Sequence, residues 1–157
     1  MRTLGSIVAV LLAATVLPAL GVAGQTGILT TLSKLRNHAR VLLIFAPDAR
    51  DPQYLAQLGL LQAETAEITD RDLVAVAVLA QGPGPSDALL SEKMLTEADA
   101  AAARKRFHVG PAEFVVILLG KDGGEKLRSE NPISFERLRA VIDAMPMRQE
   151  EMKGKVR

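Results

Sequence analysis

Three apolar runs of strand length divide the chain after its first 25 residues: residues 41–45, 73–79 and 114–119. Each run is apolar at consecutive positions instead of alternating, which is typical of strands that are buried on both faces of a sheet. Apolar residues at helical spacing occupy residues 26–38 and 52–69, on either side of the first run. The pattern therefore predicts a helix, a strand, a second helix and a parallel second strand, in that order.

Capping residues predict where two helices begin. Asp51 followed by Pro52 suits a helix start, because Asp caps helices and Pro is favoured at the first helical position. Thr96, with Asp99 three residues later, has the layout of a capping box and predicts an alanine-rich helix to about residue 107. Between the second strand and this helix, residues 81–94 form the longest irregular stretch.

The last third of the chain predicts a hairpin and a closing helix. Residues 121–124 read Lys-Asp-Gly-Gly, a strong hairpin turn, and the charged residues 125–129 suit an antiparallel edge strand. Ser134 predicts the start of the last helix. The resulting order, β-α-β-α-β-β-α, is that of the thioredoxin fold. We predict a thioredoxin-like α/β domain: a central, mostly parallel sheet of about four strands with a C-terminal β-hairpin and helices on both faces. A doubly wound sheet is the alternative, and it would need another βα unit after residue 119.

The N-terminal segment has the features of a secretory signal peptide. Arg2 precedes an uncharged run from Leu4 to Ala23, which contains Pro18 and ends in small residues. Cleavage after Ala23 or Gly24 would both fit, and an uncleaved membrane anchor is the alternative. We therefore divide the chain into a signal peptide (1–24), a thioredoxin-like domain (25–150) and a disordered tail (151–157), and expect a periplasmic or secreted protein.

Charge and composition exclude several classes of function. The chain has 19 basic and 18 acidic residues, and removing residues 1–24 takes away one arginine, which leaves a net charge near zero. A nucleic-acid-binding protein needs a surplus of basic residues, so we do not expect nucleic acid as a partner. There is no cysteine, so thiol-disulfide and thiol-peroxidase chemistry are excluded. His38 and His108 lack a second histidine at ligand spacing, and we predict no metal site, no cofactor and no catalytic residue.

The loop after the first strand is the candidate site. In thioredoxin-like enzymes the reactive Cys-x-x-Cys lies there, at the start of the next helix, whereas residues 50–53 of this chain read Arg-Asp-Pro-Gln. We predict a contact surface for a protein partner of the cell envelope, formed by Pro47, Asp48, Arg50, Asp51 and Gln53. The alternative is a non-thiol enzyme with a polar site at Asp48, Arg50 and Asp51, in which Arg50 binds an anion and an Asp acts as acid or base.

Several segments carry a resemblance to a known family: RNHARVLLIFAP at 36–47, EITDRDLV at 67–74, KDGGEKLR at 121–128 and IDAMPMRQEEM at 142–152. Together they resemble a domain-of-unknown-function family of exported bacterial proteins, over about residues 28–152. The same domain occurs in vertebrate sushi-repeat-containing and coiled-coil-domain-containing matrix proteins. The resemblance implies a thioredoxin- or peroxiredoxin-like fold without redox cysteines, export, and a binding or structural role. It implies no catalytic residues.

Overall fold

The computed structural model describes residues 27–82 and 95–155. The predicted signal peptide and most of the predicted irregular stretch lie outside these residues. Within the described ranges, no helix combines the length and apolar character that crossing a membrane requires. The elements in chain order are α1 (Ile28–Leu35), β1 (Arg40–Ala46), α2 (Pro52–Gln62), α3 (Thr65–Asp70), β2 (Leu73–Leu79), α4 (Glu97–Phe107), β3 (Val115–Leu119), β4 (Glu125–Ser129), α5 (Phe135–Asp143) and α6 (Pro146–Lys155).

The strands form one four-stranded sheet in the order β2-β1-β3-β4. β1 and β2 are parallel, which confirms the predicted β-α-β unit, but β3 is antiparallel to both β1 and β4. The sheet is therefore mixed, and the prediction of a mostly parallel sheet is wrong. The reason is that β3 starts beside the end of β1, where Val115 pairs with Phe45. The connection through α4 thus leaves β2 and enters β3 at the same end of the strands, so β3 runs opposite to β1.

β1 lies in the centre of the domain and is buried along its whole length. Because side chains alternate across a strand, it supplies two separate cores. Leu42, Ile44 and Ala46 pack on the face that α2, α3 and α5 cover. Val41, Leu43 and Phe45 pack on the opposite face, against α1 and α4. This three-layer arrangement explains why the first apolar run shows no alternation of polar residues.

The three predicted helix caps are confirmed. The side chains of Asp51, Thr96 and Ser134 each accept a hydrogen bond from a backbone N–H in the first turn of their own helix. Asp99 has a second role, since its Oδ1 also accepts from the backbone N–H of Ile28 at 3.0 Å. That bond joins the starts of α1 and α4, which lie side by side on one face of the sheet.

Residues 52–69, predicted as one helix, form two. α2 ends at Gln62, and α3 begins at Thr65 without an intervening Gly or Pro. The hydroxyl of Thr65 donates to the carbonyl oxygen of Gln62 at 3.2 Å. In a continuous helix that carbonyl would accept from a backbone N–H one turn later, so the side chain competes with the helical bond at this point.

The predicted disordered tail over residues 151–157 is wrong as far as residue 155. α6 continues through these positions to Lys155, and residues 156–157 lie outside the described part of the chain. The sequence suggested disorder because α6 has no continuous apolar face. It is held to the domain by Arg148 and Glu151, whose partners are described below.

Candidate functional site

The candidate loop, residues 47–53, lies at the edge of the sheet where the parallel strands β1 and β2 end. Pairing of Ala46 with Leu79 places both strand ends at this edge, and the backbone N–H of Gln81 donates to the carbonyl of Pro47 at 2.9 Å. Arg50 is exposed, whereas Pro47, Asp48, Asp51 and Gln53 are half-buried. We call this side of the sheet the C-terminal edge. The loop position that the sequence predicted is therefore the position observed.

The start of α2 is capped from within the chain. Asp51 Oδ1 accepts from the backbone N–H groups of Gln53 and Tyr54 at 3.0 and 2.9 Å, and Pro52 has no N–H to offer. Asp48 Oδ1 accepts from the backbone N–H of Arg50 at 2.7 Å. A helix start stabilises a thiolate or another anion through its free N–H groups. Here a carboxylate of the protein itself already takes up those donors.

A cavity of about 350 Å³ opens beside the loop at the C-terminal edge. Gln53 connects the two, since its side-chain amide donates to the carbonyl of Glu130 at 3.1 Å. We call this space the edge cavity. It is lined by Gln53, His108, Glu113, Phe114, Val115, Arg128 and Glu130.

A buried arginine fastens the sheet beneath this edge. Arg104 of α4 donates to the carbonyls of Ala46, Val78 and Gly110, the bond to Val78 being 3.1 Å long. Its guanidinium lies 5.6 Å from the centre of the Phe45 ring. Burial lowers the pKa of Arg104, and the charge of Glu113 offsets part of that shift. The side chain of Arg104 thus bonds to the ends of β1 and β2 and to the segment that leads into β3. These bonds fix the backbone from which the candidate loop extends.

Asp48, Arg50 and Asp51 line none of three cavities that the described residues form. Those cavities have volumes of about 170, 270 and 350 Å³. Within residues 27–82 and 95–155, no group of three or more His, Asp or Glu side chains is placed to hold a metal ion. Both histidines are exposed. The geometry therefore gives the non-thiol enzyme alternative no support.

Charged residues gather at the opposite edge, where β1 and β2 begin. Four nearly buried cations meet five carboxylates there, and we call this group the ion-pair cluster. The cations are Arg40, Arg71, Lys121 and Arg148, and the acids are Glu67, Asp70, Asp72, Asp143 and Glu151. The cluster joins β1, α3, the β3–β4 turn, α5 and α6.

Asp143 and Glu151 each bind more than one cation. Asp143 contacts Arg71 through two bonds of 2.8 and 3.0 Å and Arg148 at 3.3 Å. Glu151 contacts Arg40 at 3.2 Å and Lys121 at 2.7 Å. The two-bond arginine–carboxylate arrangement fixes both distance and direction. α6 is therefore positioned by paired charges instead of by an apolar face.

The pKa values of these carboxyl groups reflect the pairing. Burial alone would raise the pKa of Asp143, but the hydrogen bonds and charges of Arg71 and Arg148 bring it below the ordinary value. Burial would likewise raise the pKa of Glu151, and Lys121 and Arg40 bring it down. Both acids are therefore held in their ionised form by the fold.

The ion-pair cluster was not predicted from the sequence. Glu151 fell within the tail predicted to be disordered, residues 151–157, although it binds two cations of the cluster. The partners are far apart along the chain: Arg40 and Glu151 are separated by 111 residues. Arg104 was also missed, because a basic residue in the last turn of a helix is already explained by the helix dipole.

Solved structures with the same fold are 2-Cys peroxiredoxins and a thioredoxin peroxidase. Plasmodium vivax 2-Cys peroxiredoxin in its reduced form has a TM-score of 0.55 at 14% identity, over 76% of this chain and 84% of that one. Plasmodium yoelii thioredoxin peroxidase I has a TM-score of 0.54 at 17% identity, over 76% and 79%. At such identities the likeness establishes the fold alone. The protein is thus a thioredoxin-like α/β domain, and it contains no cysteine.

Residues 31–151 match the family described as "Domain of unknown function (DUF4174)", so the chain belongs to that family. It is also similar to sushi repeat-containing protein SRPX of Rattus norvegicus and of Homo sapiens, at 27% identity over 121 residues. Sushi repeat-containing protein SRPX2 of Bos taurus is 25% identical over the same length. The matches cover 77% of this chain and 26% of each relative, so the chain spans about a quarter of their length.

Neighbouring glutamates of α6 provide a test of the ion-pair cluster. Glu151→Gln should lower the free energy of unfolding by about 2 kcal/mol, because it leaves the buried Arg40 without its ionic partner. Glu150→Gln is the matched control, since Glu150 and its partner Lys153 are 73% and 71% exposed. We expect it to change stability by less than about 0.5 kcal/mol. Urea unfolding followed by circular dichroism measures both, and equal effects would show that the cluster does not hold α6.

Asp143→Asn should change how stability depends on pH. The pKa of Asp143 is lower in the folded than in the unfolded chain, so the carboxylate stabilises the fold above its unfolded pKa. That contribution is lost as the pH falls through the folded pKa. The variant should be less stable than the wild type by about 1–2 kcal/mol near neutral pH, and the difference should shrink below about pH 4. Glu136→Gln, at an exposed position of the same helix, should keep the wild-type pH profile. A constant difference between Asp143→Asn and the wild type across the acid range would contradict the assignment.

Proposed function

We propose that this chain is an exported, redox-inactive thioredoxin-like module that binds a protein of the cell envelope through its C-terminal edge. The binding surface comprises Pro47, Asp48, Arg50, Asp51 and Gln53 together with the edge cavity. No cofactor or catalytic residue is part of the proposal.

The main support for this proposal is that the first turn of α2 is already capped by Asp51. Asp51 occupies the backbone donors at which a thioredoxin-like enzyme would hold a reactive group, and the chain has no thiol. The surface left at this edge has groups suited to recognition. Arg50 is exposed, and its side chain has no ion-pair or hydrogen-bond partner among the described residues. An exposed arginine next to a polar cavity is typical of a protein contact, and function resides in such sites instead of in the fold.

Arg104 supports the same surface from below. Because it ties the ends of β1 and β2 to the segment before β3, the loop and the edge cavity keep a fixed relative position. A preformed surface binds with less loss of conformational entropy than a mobile one. The half-buried Gln53 adds to this rigidity through its bond to Glu130.

Export rests on the N-terminal pattern, a basic residue followed by an uncharged run that ends in small residues. The setting fits the resemblance to exported bacterial proteins and to vertebrate sushi-repeat-containing and coiled-coil-domain-containing matrix proteins. A periplasmic or secreted location would expose the C-terminal edge to envelope proteins.

Mass spectrometry of the protein purified from its native cells tests export. The expected mature mass corresponds to a chain that begins at Gly24 or Gln25. A full-length mass in the membrane fraction would instead identify an uncleaved anchor, with the domain still exported. A full-length mass in the cytoplasmic fraction would refute export.

Site-specific photo-crosslinking in the native envelope tests the binding surface. A photoreactive residue at position 50 should crosslink to a distinct protein, and one at position 139 should not, because Arg139 is an exposed arginine of α5 that does not line the edge cavity. With the purified partner, Arg50→Glu and Gln53→Glu should each weaken binding about tenfold. Arg139→Glu is the control and should leave the affinity unchanged. Equal affinities for all variants would remove this surface from consideration.

A further inference from the structure

A cleft between α1 and α4, on the face of the sheet opposite α5, combines an apolar floor with two unpaired arginines. It has a volume of about 170 Å³, and we call it the α1–α4 cleft. It is lined by Leu29, Leu32, Ser33, Leu35, Arg36, Ala39, Val41, Arg106, Phe107, Leu119, Gly120 and Gly123. We propose that this cleft binds a single-chain carboxylate, with the acyl tail on the apolar floor and the carboxylate between Arg36 and Arg106.

The floor is apolar and partly open to solvent. Leu29 lines the cleft and is 39% exposed. Leu32, Leu35 and Phe107 are half-buried against the core formed by α1, α4 and the sheet. The volume compares with the apolar cavity of about 150 Å³ that holds benzene in another protein. It therefore accommodates about six carbon atoms of a tail, with the rest of the ligand along the open side.

Neither arginine at the rim has an ion-pair partner among the described residues. The guanidinium of Arg36 lies over Gly123, where a Cβ would come within 2.8 Å of Nε, so the absence of a side chain there leaves room for it. Arg106 lies over the ring of Phe107, 5.6 Å from its centre. This contrasts with Arg40, Arg71 and Arg148, whose charges are all paired.

The surrounding charges favour an anion. Among the described residues that line the cleft, none is acidic. α1 contains no acidic residue, and the acidic residues of α4 lie in its first turn, at the far end from Arg106. The negative ends of the two helix dipoles offset about half a charge each. Two full positive charges thus leave a net positive potential over an apolar surface, which complements a carboxylate with a short hydrocarbon tail.

A titration of the full chain with octanoate tests the proposal by two-dimensional NMR of its amide signals. Saturable shifts should concentrate in α1, the last turn of α4 and the 120–124 turn. Arg36→Gln and Arg106→Gln should each weaken the affinity about tenfold, the factor expected from losing one charge-assisted hydrogen bond. Arg139→Gln, an exposed arginine on the opposite face, should leave it unchanged.

Three further probes distinguish the contribution of the tail from that of the charge, and binding in the cleft from binding to a membrane surface. Octanol, which has the tail without the charge, and acetate, which has the charge without the tail, should each bind at least about tenfold more weakly than octanoate. Equal affinity for octanol or for acetate would overturn the proposal, as would octanoate binding that survives both arginine substitutions. Binding to phosphatidylglycerol vesicles without saturable binding of octanoate would reassign the cleft to a membrane surface and would also overturn it.

Discussion

The cost of burying positive charge constrains the whole domain. Removing a guanidinium from water costs several kcal/mol unless acceptors replace the lost hydration. Arg40, Arg71 and Arg148 are each at least nine-tenths buried at the edge where β1 begins. Their carboxylate partners come from α3, α5 and α6, so those helices must be in place before the charges are compensated. The position of α6 follows from this requirement, because paired charges and not an apolar face hold it to the domain.

Local signals in the sequence predicted the elements whose boundaries depend on local chemistry. The bounds of β2 and β4 are those predicted, because an uninterrupted apolar run and a glycine-containing turn define them. The caps formed by Asp51, Thr96 and Ser134 are likewise local. What the sequence could not provide is long-range. The antiparallel direction of β3 depends on which end of the strands the chain reaches after α4, and the docking of α6 depends on charged partners up to 111 residues away.

The candidate loop likewise combines local features that the sequence predicted with long-range features that it did not. Its position after β1 and its cap by Asp51 follow from the order of elements and from the Asp-Pro pair. The edge cavity could not be predicted in this way, because its walls come from three separate parts of the chain: α2, β4, and the segment that precedes β3. Arg104 was equally inaccessible: it stands in an alanine-rich helix among other basic residues, and only the three-dimensional arrangement shows that it binds the carbonyls of Ala46, Val78 and Gly110.

The segments that carry the family resemblance converge on the ion-pair cluster. Residues 36–47, 67–74, 121–128 and 142–152 contribute all nine of its charged side chains. Such a match reports how the domain is held together, and it says little about the loop at the other edge, of which only Pro47 lies within those segments. Because β1 separates the two edges and the cluster contains none of residues 47–53, we expect substitutions in that loop to leave the cluster intact. A domain of this kind can therefore keep one supporting edge while the residues of the opposite edge change.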